Sequence, residues 1–233
     1  MENKDTLILF DVGAVLVSLD HESHYRKLSE LSDLNHEEVI KRYTKSDLNQ
    51  KFWSGLISTL DYFLLLRKLI GVRNDVTDET LMDAYVSKIG EQIGDVIRVK
   101  ERLIKAGYSV GIFSNMEEVI RDYISLKFPR VLETQDGSPK ILSFESGGIK
   151  PSERMYNRVN WHGRVIYIDD NSSYVQKGEE RGWKGIVFTP FVDSKESVRL
   201  FQGSNGSSAS SNILHANSID ELVKSLESFG LKF

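Results

Sequence analysis

Short unbroken apolar runs alternate along this chain with stretches in which apolar residues recur every three or four positions. Leu7-Ile8-Leu9-Phe10, Val110-Gly111-Ile112-Phe113, Val165-Ile166-Tyr167-Ile168 and Ile186-Val187-Phe188 are the unbroken runs. A strand that is apolar at successive positions, not at every second one, is covered on both faces, which is the habit of parallel sheets. Each run stops at polar residues: Asp11, Ser114-Asn115, Asp169-Asp170 and Thr189-Pro190. The three-to-four spacing predicts helices over 93–106, 116–126, 153–160 and 172–181. Strand and helix in alternation predict an α/β fold with a doubly wound, Rossmann-like parallel sheet, whose ligands lie beyond the carboxyl ends of the strands.

Between the first strand and the helix at Ile93 the pattern changes. Helical spacing appears over 24–34, 37–43, 60–69 and 79–89, with no run of the strand type. A compact domain does not carry a bare loop of that length, so a helical module is expected after the first strand. The division that follows is a core of residues 1–17 and 91–233 and a four-helix-bundle-like cap of residues 18–90. Towards the end, Gly203 to Ser211 is a low-complexity stretch that includes the sequon Asn205-Gly206-Ser207; it is expected to be exposed and the sequon a chance match. Ser218 and Asp220-Glu221 then open a last amphipathic helix through Leu222, Leu226 and Phe229, closed by Gly230.

Composition narrows the function classes. With 40% hydrophobic and 27% charged residues, the 233-residue chain is of ordinary globular type. It has no cysteine, which excludes disulfides, thiolate nucleophiles and cysteine-bound zinc. A net charge of −4 with dispersed Lys and Arg offers no basic face for a phosphate backbone, so no nucleic-acid partner is expected. No membrane span and no leader pattern appear, and the expected setting is the cytoplasm.

The strand-end residues carry the chemistry. Asp11, Ser114 and the pair Asp169-Asp170 come to one edge of the sheet, and Lys150-Pro151 precedes a helix that can reach it. Carboxylates crowded in one pocket repel unless a cation sits among them, and Mg²⁺ suits an all-oxygen ligand set. A hydroxyl and an ammonium group are what the non-bridging oxygens of a phosphate require. Together these groups point to phosphoryl transfer.

In four ordered motifs the chain resembles the haloacid dehalogenase-like hydrolase superfamily: Leu7-Ile8-Leu9-Phe10-Asp11-Val12-Gly13-Ala14-Val15-Leu16, then Ile112-Phe113-Ser114-Asn115, Gly147-Gly148-Ile149-Lys150-Pro151, and Tyr167-Ile168-Asp169-Asp170-Asn171. The helical insertion resembles that of the subgroup containing glucose-1-phosphate phosphatases and the phosphatase domain of soluble epoxide hydrolases. Trp53-Ser54-Gly55-Leu56-Ile57 with Phe63 resembles its cap segment near substrate. The resemblance implies a phosphatase of small phosphorylated metabolites, with a sugar 1-phosphate as one substrate type; a monomer or homodimer is expected. It implies Asp11 as nucleophile through an aspartyl-phosphate; Asp11, Asp170 and the carbonyl of Gly13 on Mg²⁺; Ser114, Asn115 and Lys150 on phosphate; and Asp169 in support.

Two positions depart from the family pattern. The second Asp of the first motif, the usual proton donor and acceptor, is Gly13, and an Asp or Asn after Asp170 is Tyr174. Gly13 predicts a preference for good leaving groups. Competing readings are a 2-haloacid dehalogenase, disfavoured by the Asp169-Asp170 pair, and a catalytically weakened phosphate-binding or interaction protein. Among other residues, His21, His24 and His36 read as solvated, His162 and His215 as peripheral, Phe52 and Trp53 as cap interior. Lys45, Lys51 and Arg67 are open to a second anionic group.

Overall fold

The computed structural model describes residues 3–190 and 213–233; the low-complexity stretch and its sequon lie outside the described residues. In chain order, after a short 3₁₀ turn, the elements begin with β1 (Thr6–Phe10) and β2 (Val17–Leu19). Five helices follow: α1 (His21–Glu30), α2 (His36–Lys45), α3 (Leu48–Trp53), α4 (Thr59–Ile70) and α5 (Asp78–Val86). The chain returns through β3 (Ile89–Gln92), α6 (Gly94–Lys105), β4 (Ser109–Ser114) and α7 (Glu118–Lys127). It continues with β5 (Lys140–Leu142), α8 (Ser143–Ser146), α9 (Glu153–Tyr156), β6 (Arg164–Asp169), α10 (Ser172–Glu179), β7 (Lys184–Phe188), β8 (Ile213–Ala216) and α11 (Ile219–Ser228).

The main sheet has the order β5-β4-β1-β6-β7-β8, and every pairing in it is parallel. The expected doubly wound α/β architecture is therefore observed. Its reason is visible in β1, where all five residues are buried. Ile8 and Phe10 join the cluster formed with Val96, Leu103, Leu222 and Leu226 of α6 and α11. Leu7 and Leu9 join the cluster on the opposite face, with Met155, Tyr156, Val175 and Trp183. Strand residues of both parities are covered, so the run has no polar alternation.

The five inserted helices pack α1 on α5 and α2, and α4 on α2, α3 and α5. Four of them open on side chains legible in the sequence: Asp20, Asn35, Ser58 and Thr77 each accept the backbone N–H three residues on. Their interior is aromatic, with Phe52 and Tyr62 stacked at 4.0 Å between ring centroids and Phe63, Tyr85 and Tyr43 buried around them. Phe52 is thus cap interior, as expected. His24 is not solvated as expected: it is buried, its Nδ1 donating to Ala84 O at 3.2 Å among the rings of Tyr25, Tyr43 and Tyr85. The hydrophobic face of α1 carries it inward with Leu28, four residues on.

Three features differ from the sequence pattern. The insertion is entered and left through an antiparallel ribbon of β2 and β3, each too short to register as a run. Strands β5 and β8 flank the sheet as its edges. The helix expected over 153–160 closes at Tyr156, after which Arg158 and Val159 bond back to Met155 and Tyr156 in tighter three-residue turns.

Candidate functional site

The ends of β4, β1 and β6 are neighbours in the sheet, which brings Ser114, Asp11 and Asp169-Asp170 together. Asp11 follows the last residue of β1, and its N–H still bonds to Ile168 O of β6 at 2.9 Å, so the backbone holds the carboxylate at the sheet rim. The chain then turns at once: the N–H groups of Val15, Leu16 and Val17 all point to Val12 O, and Ala14 takes a left-handed φ of 58°. Strain of that kind in a non-glycine residue persists where surrounding structure imposes it.

Lys150 lies at the centre. It is fully enclosed, and its Nζ donates to Asp169 Oδ2 at 2.6 Å, Tyr167 OH at 3.0 Å and Phe113 O at 3.2 Å. Asp11 Oδ1 is 3.0 Å from the same nitrogen but accepts no hydrogen bond of good geometry. Burial works against the ammonium charge, yet Asp11 and Asp169 outweigh it and raise the Lys150 pKa above the ordinary value. Asn115 brackets the Lys150 peptide, accepting from its N–H at 2.7 Å and donating to its carbonyl at 3.4 Å. Its side chain thereby fixes the lysine's place.

The two adjacent acids differ. Asp169 is buried with both oxygens engaged: Oδ1 accepts from Asn171 N at 2.8 Å, and Oδ2 accepts from Lys150 and from the Tyr167 hydroxyl. Burial pushes its pKa up to about 6 against the pull of Lys150. Asp170 is only partly buried and pairs with no cation of its own among the described residues; burial first, then Asp169 and Asp11, push it up to about 8. Ligand atoms of Asp11, Asp169 and Asp170 lie within 4.8 Å of one another. Three carboxylates against one ammonium leave a formal charge of −2. A divalent cation cancels that charge, and with Asp169 engaged by hydrogen bonds Asp11 and Asp170 are the carboxylates left to receive it, so the residues fit a hard metal ion.

Around this centre the remaining expected residues fall as follows. Ser114 is buried at the tip of β4, and among the described residues its hydroxyl has a single weak contact, 3.4 Å to Asn115 O. The Tyr174 ring faces Lys150 Nζ at 5.2 Å, and burial raises its phenol above the usual value, keeping it protonated. Of the cap cations, Lys51 pairs with Asp47 at 2.7 Å and Arg67 with Asp78 at 2.8 Å, while Lys45 is exposed. His162 and His215 are exposed, and His36 is half-buried against Ser29 Oγ.

Two contributors were not foreseen. Tyr167, the polar tip in an aliphatic strand, bonds Asp169 and Lys150; its place two residues before Asp169, on the same face of β6, is the signal that could have revealed it. Glu117, three residues beyond Ser114, accepts from Lys88 Nζ at 2.6 Å, Trp53 Nε1 at 2.7 Å and the Tyr85 hydroxyl, all on one oxygen. Trp53 is therefore a link between the inserted helices and the sheet and not interior filling. Beside it Gly55, at φ 69°, lies where a Cβ would stand 2.0 Å from Phe144 O, so the two backbones touch there.

No protein-family model matches the chain. A D-ribitol-5-phosphate phosphatase of Bacteroides thetaiotaomicron is 22% identical over 191 residues, covering 76% of this chain and 88% of that protein. Among solved structures, a HAD family enzyme of the same organism superposes with a TM-score of 0.70 at 22% identity, over 85% of this chain and 98% of that one. That enzyme has also been solved in complex with magnesium and inorganic phosphate. The L-2-haloacid dehalogenase of Xanthobacter autotrophicus superposes at 0.59 with 13% identity, over 95% and 98%. These likenesses show the fold.

Proposed function

We propose that this chain, which has the fold of the haloacid dehalogenase-like hydrolases, is a magnesium-dependent hydrolase of small phosphate monoesters with Asp11 as its nucleophile. One observation carries the reading: strand-end carboxylates left with a net negative charge lie together with a buried, doubly paired lysine and a hydroxyl held by only a weak contact. Such a site is matched to a metal ion and a phosphate: the metal supplies the missing positive charge, and the phosphate oxygens accept the hydrogen bonds. The magnesium and phosphate complex of the structural neighbour and the curated phosphatase support it.

Asp11 attacks phosphorus to form an aspartyl-phosphate, and water hydrolyses that acyl phosphate in a second step. Asp11, Asp170 and the carbonyl of Gly13 would hold Mg²⁺, which when bound withdraws charge from the phosphoryl oxygens. Asp169 has no oxygen to spare and acts on Lys150, fixing the ammonium where a phosphate oxygen meets it. The Ser114 hydroxyl donates to a second oxygen. Asn115 acts by holding the Lys150 backbone, with its expected phosphate contact made through that lysine.

The reading carries with it a cytoplasmic enzyme, monomeric or homodimeric, that binds no nucleic acid; the net charge of −4 supports the last point, and the absence of cysteine fits a reducing compartment. Among the described residues no helix is long and apolar enough to cross a membrane. Gly13 offers no proton to a departing oxygen, so phosphates with good leaving groups, among them sugar 1-phosphates, aryl phosphates and acyl phosphates, are the substrates it favours. Glucose 1-phosphate should turn over faster than glucose 6-phosphate, and equal rates would remove that preference.

Hydrolysis of para-nitrophenyl phosphate with and without Mg²⁺ tests the whole reading. Metal-dependent release of nitrophenolate, lost in Asp11→Asn, is the expected result. An Asn variant as active as the native chain refutes it.

A further inference from the structure

Glycine at position 13 is not demanded by its own backbone, because the left-handed residue of the turn is its neighbour Ala14. What matters is the space beside it. A Cβ placed on Gly13 would stand 3.1 Å from Leu19 Cδ1 and 3.7 Å from its Cγ and Cδ2. Leu19 ends β2, the strand that leads from the nucleophile turn into α1, and it is 37% exposed. A branched apolar group with an open face thus stands beside the nucleophile turn, where a side chain at position 13 would otherwise project.

In an in-line displacement the leaving oxygen departs on the side of phosphorus opposite the attacking carboxylate. Asp11 attacks from the sheet rim, so the leaving group departs toward the strand and helices that follow the turn. Lys150, Asp169 and Tyr167 are bonded to one another on the side of the attacking Asp11, not on the side where the leaving oxygen departs. We infer that Leu19 is the leaving-group contact of this site, and that the juxtaposed Gly13 and Leu19 fit it to aryl phosphates, whose apolar ring packs on Leu19. The inference deepens the phosphatase reading and rests on it. In the step, the Asp11–phosphorus bond forms as the phosphorus–oxygen ester bond breaks. The electron pair leaves with the phenoxide, which takes its proton from solvent, and water completes the hydrolysis to inorganic phosphate.

The test is a series of ring-substituted phenyl phosphates beside an alkyl phosphate, with inhibition by inorganic phosphate reporting an intact pocket. The native chain should hydrolyse para-nitrophenyl phosphate at least about a hundredfold faster than the alkyl ester, the range that general acid help would otherwise supply. Leu19→Ala should raise KM for the aryl esters about tenfold and leave inhibition by inorganic phosphate unchanged. The double variant Gly13→Asp with Leu19→Ala, which makes room for an acid, should narrow the gap by about a hundredfold. A native rate indifferent to the leaving group overturns the inference, as does a Leu19→Ala variant with unchanged aryl-to-alkyl preference. Tyr174→Phe that selectively slows the alkyl ester overturns it too, by assigning the proton to that phenol. Inactivity of the native chain on every ester overturns the phosphatase reading itself, and the inference with it.

Discussion

Buried ionisable side chains are satisfied very differently in different parts of this molecule. Lys150 is surrounded by partners, whereas among the described residues the His24 side chain has one hydrogen-bond partner, its Nε2 meeting none. Burial, with Lys88 and His21 adding positive charge nearby, pushes His24 down to about 3; Ala84 O and the rings of Tyr25, Tyr43 and Tyr85 complete its surroundings. The unfolded chain takes up this proton near pH 6.5 and the folded chain does not, so stability present above pH 6.5 is lost as pH falls toward 3. The loss from this residue amounts to about 1.4 kcal/mol per pH unit within that window. Urea unfolding of the native chain and His24→Phe at pH 7 and pH 5 should show the variant losing less stability on acidification, and parallel losses would contradict it. Which histidine is buried was hidden in the sequence, because His21, His24 and His36 differ only in which way their helix faces its neighbours. The strand-end acids were legible because an abrupt change from apolar to acidic leaves few structural alternatives.

Helix caps and the long buried strands were readable from local chemistry, since a cap is a contact between residues three apart and a buried strand carries its own apolar run. Elements made by their neighbours were not. β5 is three residues long, β8 has the exposed His215 among its four, and α3 is less than two full turns. The ribbon of β2 and β3 joins segments far apart in the sequence. Glu117 belongs to the same class, because its partners Trp53, Tyr85 and Lys88 come from α3, from α5 and from the approach to β3. With its side chain 5% exposed and that of Lys88 11%, removal of either charge leaves the other buried and unpaired. Glu117→Ala is expected to destabilise the fold by about 3–5 kcal/mol, and Lys88→Met added to a Glu117→Leu background to restore most of that loss. A double-mutant cycle in urea in which the two losses simply add would show that the pair does not act as a unit.

Across the whole molecule, a single hydrophobic cluster runs from Ile8 and Phe10 of the sheet to Leu66, Tyr85 and Val39 of the inserted helices. Ligands at the rim should therefore stabilise the chain as a unit. Mg²⁺ and inorganic phosphate at about a hundred times their dissociation constants are each expected to add about 2.7 kcal/mol, read as a rise in Tm that excess EDTA reverses. A Tm indifferent to both would argue against the proposed pocket. The contact between Trp53 and Glu117 has a practical consequence as well. Of the three tryptophans, Trp161 and Trp183 belong to the cluster on the far face of the sheet, and Trp53 alone has its indole tied across to the loop behind Ser114. In a Trp161→Phe, Trp183→Phe background, the remaining emission is a built-in optical gauge: its colour follows whether that indole is held against a carboxylate or released to water.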